Sequence, residues 1–175
     1  MERILPHGQG DPNEQEMAAD GEIFDIIPLP AIRIVGSVRY DKTEEELFKL
    51  SVYCLPNQRD GEPAAPMYFF AADDQWYEAV NIRDVKRLPL LERILHIESK
   101  MYIAKFQFRR MPNPPMSAPE FYRKLREKAD ISDIYMKPPV PTKAEIRNTL
   151  RACKTCLEFV AWMEKYTYQK KYRGY

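Results

Sequence analysis

The chain has 175 residues, of which 45% are hydrophobic and 30% charged, and its formal net charge is +1. This length suits one domain that removes about two thirds of its unfolded surface from water, so a hydrophobic core forms without disulfide or metal staples. The three Cys lack disulfide-framework spacing and no apolar run is long enough for a signal peptide or a membrane span, which favours an intracellular location with reduced thiols: cytoplasm, nucleus or virion interior.

The N-terminal segment, residues 1–21, is polar and acidic, is interrupted by Pro and Gly, and has no sustained hydrophobic period. It is interpreted as a disordered acidic arm ahead of a mainly β domain with short helices over residues 22–136. Residues 1–30 carry seven acids and one base, whereas residues 141–175 carry eight bases and three acids. Ends of opposite charge can pair with each other, with other copies or with separate partners.

Hydrophobic alternation predicts an antiparallel sheet of about five strands. These lie near residues 32–40, 47–55, 67–72, 76–82 and 101–110. The second segment competes with a short helix, because Thr43 and Glu46 have capping-box spacing, but the strand from Phe48 onward is preferred. The third and fourth segments are predicted to form a hairpin around Asp73–Gln75.

Two short helices are predicted in the middle of the chain. One covers Pro89–His96, where Pro suits a helix start. The other runs to about Lys128 and begins at Ser117, which has capping-box spacing with Glu120.

The C-terminal third, residues 137–175, is predicted to comprise a Pro-rich linker, one long helix and a basic tail. Thr142 and Glu145 form a capping box, and two neighbouring apolar stripes follow. The expected fold is therefore α+β, with this helical third packed on one face of the sheet as part of the same core.

Cys153 and Cys156 form a C-x-x-C pair inside this predicted helix. Zinc requires about four ligands, and the chain offers only Cys54, His7 and His96 in addition. Each member of the pair also falls on an apolar stripe. The pair is interpreted as core packing, and no metal or cofactor is expected.

Asp84 precedes Glu98 and Lys100, which end an apolar stretch in an E-x-K pattern. This arrangement resembles the metal-binding core of PD-(D/E)-x-K nucleases, and the resemblance implies magnesium held by Asp84 and Glu98 while Lys100 positions water. Arg83 stands where that family has Pro. A solvated helix end is the favoured interpretation.

The predicted hairpin contains Asp73, Asp74, Trp76 and Tyr77 in an order that resembles the central hairpin of Tudor-type reader domains. The resemblance covers about fifteen residues and implies an aromatic cage for methylated Lys or Arg. A hairpin whose Trp76 fills the core is the favoured alternative.

Cations and tyrosines suggest single-stranded nucleic-acid binding, since cations neutralise phosphate while aromatic rings stack on bases. The predicted polar sheet face and the Tyr/Lys-rich tail supply these candidates: Arg33, Arg39, Lys49, Tyr53, Lys105, Arg109, Lys170, Lys171 and Arg173. The alternative is an ordinary solvated sheet face.

Catalytic motifs are missing from the sequence, so no catalytic residues are assigned and the leading hypothesis is a non-enzymatic interaction or assembly protein of a larger complex, such as a viral particle. A protein partner or a second copy is expected at the wide apolar face of the last helix. Its candidate residues are Phe159, Trp162, Met163 and Tyr166. Nucleic-acid binding ranks second and nuclease activity third.

Overall fold

The computed structural model describes residues 21–35, 37–51, 54–56, 60–91, 101–130, 134 and 139–166. Nearly all of the predicted acidic arm and most of the predicted helix at Pro89–His96 lie outside these ranges. None of the helices within the described ranges is both long and apolar enough to cross a bilayer.

The described strands form one seven-stranded antiparallel sheet. Their bounds are β1 Ile23–Phe24, β2 Ala31–Val35, β3 Ser37–Asp41, β4 Lys49–Ser51, β5 Tyr68–Phe70, β6 Trp76–Arg87 and β7 Met101–Arg110. The order across the sheet is β1-β7-β6-β5-β2-β3, and β4 pairs with the edge of β7 that β1 also uses.

The helices begin by a shared device. Their bounds are α1 Glu44–Leu47, α2 Ala118–Lys128, α3 Lys143–Ala152 and α4 Cys156–Met163. In each, the preceding Ser or Thr accepts a hydrogen bond from the backbone N–H of a Glu three residues later. These bonds satisfy amide groups that the first helical turn leaves unpaired, which explains why the helices start where they do.

Several of the predicted strands differ from those in the structure. The predicted strand at 47–55 is confirmed only at Lys49–Ser51, which form β4. Its start belongs to α1, Cys54 and Leu55 are not in a strand, and residues 52 and 53 lie outside the described ranges. The competing helix interpretation holds, since Thr43 and Glu46 form a full capping box. The single strand predicted at residues 32–40 is also wrong, because it is two strands, β2 and β3, that pair antiparallel with each other. The short strand β1 was not predicted, and β6 continues five residues beyond the predicted end at Ile82.

The prediction of a single long C-terminal helix is also wrong, because this segment forms two helices, α3 and α4. Cys153 has extended backbone angles, φ −69° and ψ 129°, and ends α3. Thr155 then caps α4, and the Glu158 carboxylate accepts from the Lys154 N–H at 2.6 Å. A second capping arrangement inside an apolar periodic segment therefore divides it.

The predicted fold class is confirmed: an antiparallel sheet with helices of the C-terminal part packed on one face. On that face Ile32, Phe70 and Trp76 of the sheet contact Phe121 of α2 and Phe159 of α4. Burial of apolar side chains such as these is the main favourable contribution to folding.

The opposite face of the sheet is covered as well. There α1 and β4 place Leu47 and Leu50 against Phe69, Phe106 and other sheet residues. Because both faces of the central strands are buried, alternation along a strand does not identify a solvated face.

Arg33 shows that the sheet curls. In a flat sheet with strands about 4.8 Å apart, β2 and β4 would lie about 19 Å apart, since β5, β6 and β7 separate them. Yet Arg33 Nη1 in β2 donates to the carbonyl oxygen of Lys49 in β4 at 2.6 Å. The two ends of the sheet therefore approach each other, and α1 connects them.

Candidate functional site

The sheet has a gap between β1 and β4, which pair with different parts of the same edge of β7. An open groove of about 680 Å³ lies at this gap. Its walls come from the turn after β1, from α1 and the start of β4, and from β6 and β7. The lining residues are Asp25, Ile26, Glu44, Phe48, Arg83, Asp84, Ile103, Ala104, Lys105 and Phe106.

The backbone of Phe106 faces this gap. Ala104 donates its N–H to the carbonyl of Phe48 at 3.0 Å, so Ala104 points toward β4. Alternate residues of a strand direct their N–H and C=O to the same side, and Phe108 pairs with β1 on that side. Phe106, between them, therefore presents both groups to the gap. No backbone partner for them occurs among the described residues.

The hydrogen bonds of β6 support this orientation. Ile82, which stands opposite Phe106, exchanges both of its backbone hydrogen bonds with Gly61, at 2.7 and 3.0 Å. Ile82 therefore directs its polar backbone groups away from Phe106. The floor of the groove thus contains a short stretch of sheet edge that has no backbone partner among the described residues, and Phe106 itself is only 1% exposed.

Charged pairs line the groove. Arg83 contacts Asp25 at 3.2 Å and Lys105 contacts Asp84 at 3.3 Å, and all four side chains are at least 45% exposed. Exposed pairs of this kind contribute little stability and exchange partners at little cost. Their charges are available to a bound molecule.

Apolar surface lies between these pairs. Ile26 is 48% exposed, and the half-buried Phe48 and Ile103 also line the groove. A groove that combines apolar walls, opposite charges and a buried backbone donor and acceptor without a strand partner has the chemistry to bind an extended peptide.

Asp84 lies at a bulge in β6, where the register against β7 shifts between Arg83 and Lys86. Its φ of +54° places it in the left-handed region, which Asp tolerates better than most residues. Of the residues that resemble the nuclease pattern, Glu98 and Lys100 lie outside the described ranges. Within those ranges no three His, Cys, Asp or Glu side chains form a group that could hold a metal ion.

Two predicted nucleic-acid-binding residues are buried and cannot lie on a solvated face. Arg33 is 1% exposed and Lys49 is 6% exposed. Arg33 pairs with Asp41, and its guanidinium also donates to the carbonyls of Lys49, Glu46 and Leu47. The prediction is wrong for both, because α1 and β4 cover the polar side of β2.

The other predicted sheet cations each have an acidic partner. Arg39 lies 3.5 Å from Asp41, Arg109 lies 2.6 Å from Glu78, and Lys105 pairs with Asp84 as above. They do not form one continuous basic surface with Arg33 and Lys49. The remaining candidates lie outside the described residues: Tyr53, Lys170, Lys171 and Arg173.

The predicted partner-binding face on the last helix is largely core. Phe159 and Met163 are fully buried against the sheet and α2, so both predictions are corrected. Trp162 and Tyr166 are half-buried and pack against each other, with ring centroids 5.0 Å apart. The apolar face of α4 packs against both the sheet and α2, so little of this face is exposed.

In the hairpin that resembles a reader domain, the aromatic residues Trp76 and Tyr77 are buried. Trp76 is 2% exposed and stacks on Phe121 at 5.7 Å, as the favoured alternative stated. The chain's own Lys128 lies 3.8 Å from the centre of the Tyr68 ring and 5.9 Å from that of Trp76. An internal cation therefore occupies the aromatic surface.

The C-x-x-C pair spans the break between α3 and α4 instead of lying inside one helix. Cys156 is the first residue of α4, a position where the helix dipole favours a thiolate. Burial and the nearby charge of Asp74 outweigh this effect and raise the pKa of Cys156 to about 11. The buried thiol is therefore protonated and unreactive at neutral pH, in agreement with the core interpretation.

The groove was not predicted from the sequence, since its residues come from segments far apart in the chain. Ile26 stands beside the apolar residues Phe24 and Ile27, so its exposure gave no signal in the sequence. Comparisons of the chain with protein-family models, curated proteins and solved structures found no match.

Proposed function

We propose that the protein is a non-enzymatic interaction protein that binds an extended segment of a partner protein in the groove between β1 and β4. The bound segment adds to the free edge of β7 and fills the gap in the sheet. Strand addition of this kind obtains affinity from backbone hydrogen bonds and specificity from pockets for alternate side chains.

The observation that carries this proposal is the unpaired backbone of Phe106 at the floor of the groove. Unpaired sheet edges bind other strands unless they are covered. This edge is recessed between two strands and Phe106 is 1% exposed, so a bound segment reaches its backbone only when the side chains over it move aside. The recess excludes a long strand and admits a short one, which limits non-specific pairing.

The chemistry of the groove defines the segment that fits. An apolar side chain packs against Ile26 and Phe48, while charged side chains on either side of it replace one member of each exposed pair. The pairs Asp25 with Arg83 and Asp84 with Lys105 place an acid and a base at both positions. We therefore infer a segment with an apolar centre and charged flanks.

The test is selection of linear peptides from a random displayed library, followed by affinity measurements on the full chain. Ile26→Arg places a charge on the apolar wall and should lower affinity for the selected peptides at least tenfold. Val140→Arg is the matched control, because Val140 is 50% exposed and Ile26 48% exposed, and Val140 does not line the groove.

Amide hydrogen exchange gives an independent readout. The Phe106 N–H should exchange faster than those of Ala104 and Phe108 in the free protein, and binding should protect it. Peptides that bind equally well to Ile26→Arg, or that leave the Phe106 amide unprotected, would refute the proposal.

A further inference from the structure

The exposed face of α3 carries cations in a row. Lys143, Arg147 and Arg151 are exposed and follow one another at intervals of four residues, which places them along one side of the helix over about 12 Å. Lys154, exposed in the turn that follows, adds a fourth cation at the C-terminal end of α3.

Among the described residues no acid forms an ion pair with the side chains of this row, although the Glu158 carboxylate accepts from the backbone N–H of Lys154 at 2.6 Å. Within the described residues these four cations form neither an ion pair nor a side-chain hydrogen bond. Glu145 is the acid in the first turn of α3, and its carboxylate is bound to the N–H and hydroxyl of Thr142. The row therefore keeps its full positive charge.

The helix α2 shows how the same chain neutralises a solvated helix. There Arg123 contacts Glu127 at 2.6 Å and Lys124 lies 3.6 Å from Glu120. Such pairs stabilise a helix, whereas like charges four residues apart destabilise it by a similar amount. Stability alone favours opposite charges four residues apart, as in α2. In α3 the residues at this spacing carry like charges.

The surface beside the cations carries only short side chains. Ala144, Asn148 and Ala152 are exposed there, and none has a large apolar side chain that could enter a bilayer. Short side chains allow a chain of phosphate groups to approach the helix closely. Arg pairs with phosphate through two parallel hydrogen bonds.

We propose that this α3 row, Lys143, Arg147, Arg151 and Lys154, binds the phosphate backbone of a nucleic acid. This site differs from the sheet face that the sequence suggested and is independent of the groove proposed for a partner protein.

The test uses Arg147→Glu in the full chain. This change converts two repulsive contacts, with Lys143 and Arg151, into attractive ones, so the thermal midpoint should rise by about 2 °C at low salt. Affinity for nucleic acid should fall about tenfold, with a shallower salt dependence. Stability and binding should thus change in opposite directions, which excludes misfolding as the cause.

Arg123→Glu is the matched control, since it makes the same change in net charge on the exposed face of α2. It breaks the pair with Glu127, so stability should fall slightly while affinity stays within about twofold of the original. The probes are labelled single-stranded and duplex DNA and RNA of mixed sequence, measured by fluorescence anisotropy across a salt series.

Several outcomes would overturn the proposal. One is the absence of binding to all four probes at low salt. Another is a loss of affinity in Arg123→Glu as large as that in Arg147→Glu, which would show that only the net charge of the protein affects binding. Binding to phosphatidylserine vesicles or to polyglutamate with the same affinity as to nucleic acid would assign the row to a membrane or an acidic protein.

Discussion

Arg33 and Asp41 form an ion pair at 2.7 Å with both side chains almost completely buried, at 1% and 0% exposure. Asp41 is the last residue of β3, and Arg33 lies in the neighbouring β2. The Arg33 guanidinium also donates to carbonyls at the end of α1 and in β4. One side chain thus connects both ends of the curled sheet and satisfies carbonyls that the end of α1 leaves unpaired.

Arg33→Met should lower the free energy of unfolding by about 3–5 kcal/mol, because buried Asp41 would keep only its 3.5 Å contact with Arg39 and buried carbonyls would lose their donor. Arg83→Met is the control: it removes an exposed strand Arg from its pair with Asp25 and should cost less than about 1 kcal/mol. Urea denaturation at neutral pH measures both. Similar losses in the two variants would show that burial of the Arg33 pair has no structural importance.

Much of the fold could be predicted from sequence, and the reason is local. The alternation in β7 and the S/T-x-x-E starts of α2 and α3 depend on neighbours within a few residues, so the prediction for each is confirmed. The same local signal at Thr155 and Glu158 was available for α4. It was hidden because the apolar period continues through the break at Cys153.

What the sequence could not show depends on contacts between distant segments. Arg33 and Lys49 alternate with apolar neighbours as surface residues do, and only the position of α1 over the sheet buries them. The groove likewise requires that β1 and β4, separated by two other strands in the chain, pair with the same edge of β7. Register between distant strands is not encoded by local periodicity.

Thr155→Ala should destabilise the protein by about 1 kcal/mol, since the Thr155 hydroxyl accepts from the Glu158 N–H at 3.2 Å and starts α4. Thr155→Asn should recover most of this loss, because Asn is also a strong N-cap residue. Thermal denaturation of the two variants provides the comparison. If both lose the same amount, the division between α3 and α4 does not depend on this cap.

Lys128→Met should cost about 0.5–1 kcal/mol of stability, because Met keeps the length of the side chain but removes the cation over the Tyr68 ring. Burial lowers the pKa of Lys128, so the charge that this contact needs is lost at a lower pH than in an exposed Lys. In the background Tyr68→Leu the same substitution should have a smaller effect. A double-mutant cycle by urea denaturation measures this coupling, and a coupling near zero would show that the contact is incidental.

Cys156 should make stability decrease as pH rises from about 8.5, the ordinary thiol value, toward 11. The folded pKa of about 11 is higher than the unfolded one, so the unfolded chain releases this proton first. The folded state therefore loses relative stability in that window, by at most about 1.4 kcal/mol per pH unit for one proton, and none below it.

Cys156→Ala should show a shallower decline than the original chain over this window. Burial also raises the pKa values of Tyr40 and Tyr77, and these groups titrate in both proteins, so the difference between the two curves isolates the thiol. Urea midpoints measured at neutral pH and at about pH 10 give that difference. Alkylation by iodoacetamide at about pH 8 should likewise label the half-buried Cys153 before Cys156. Equal slopes, or faster labelling of Cys156, would show that this thiol is accessible and ionises normally.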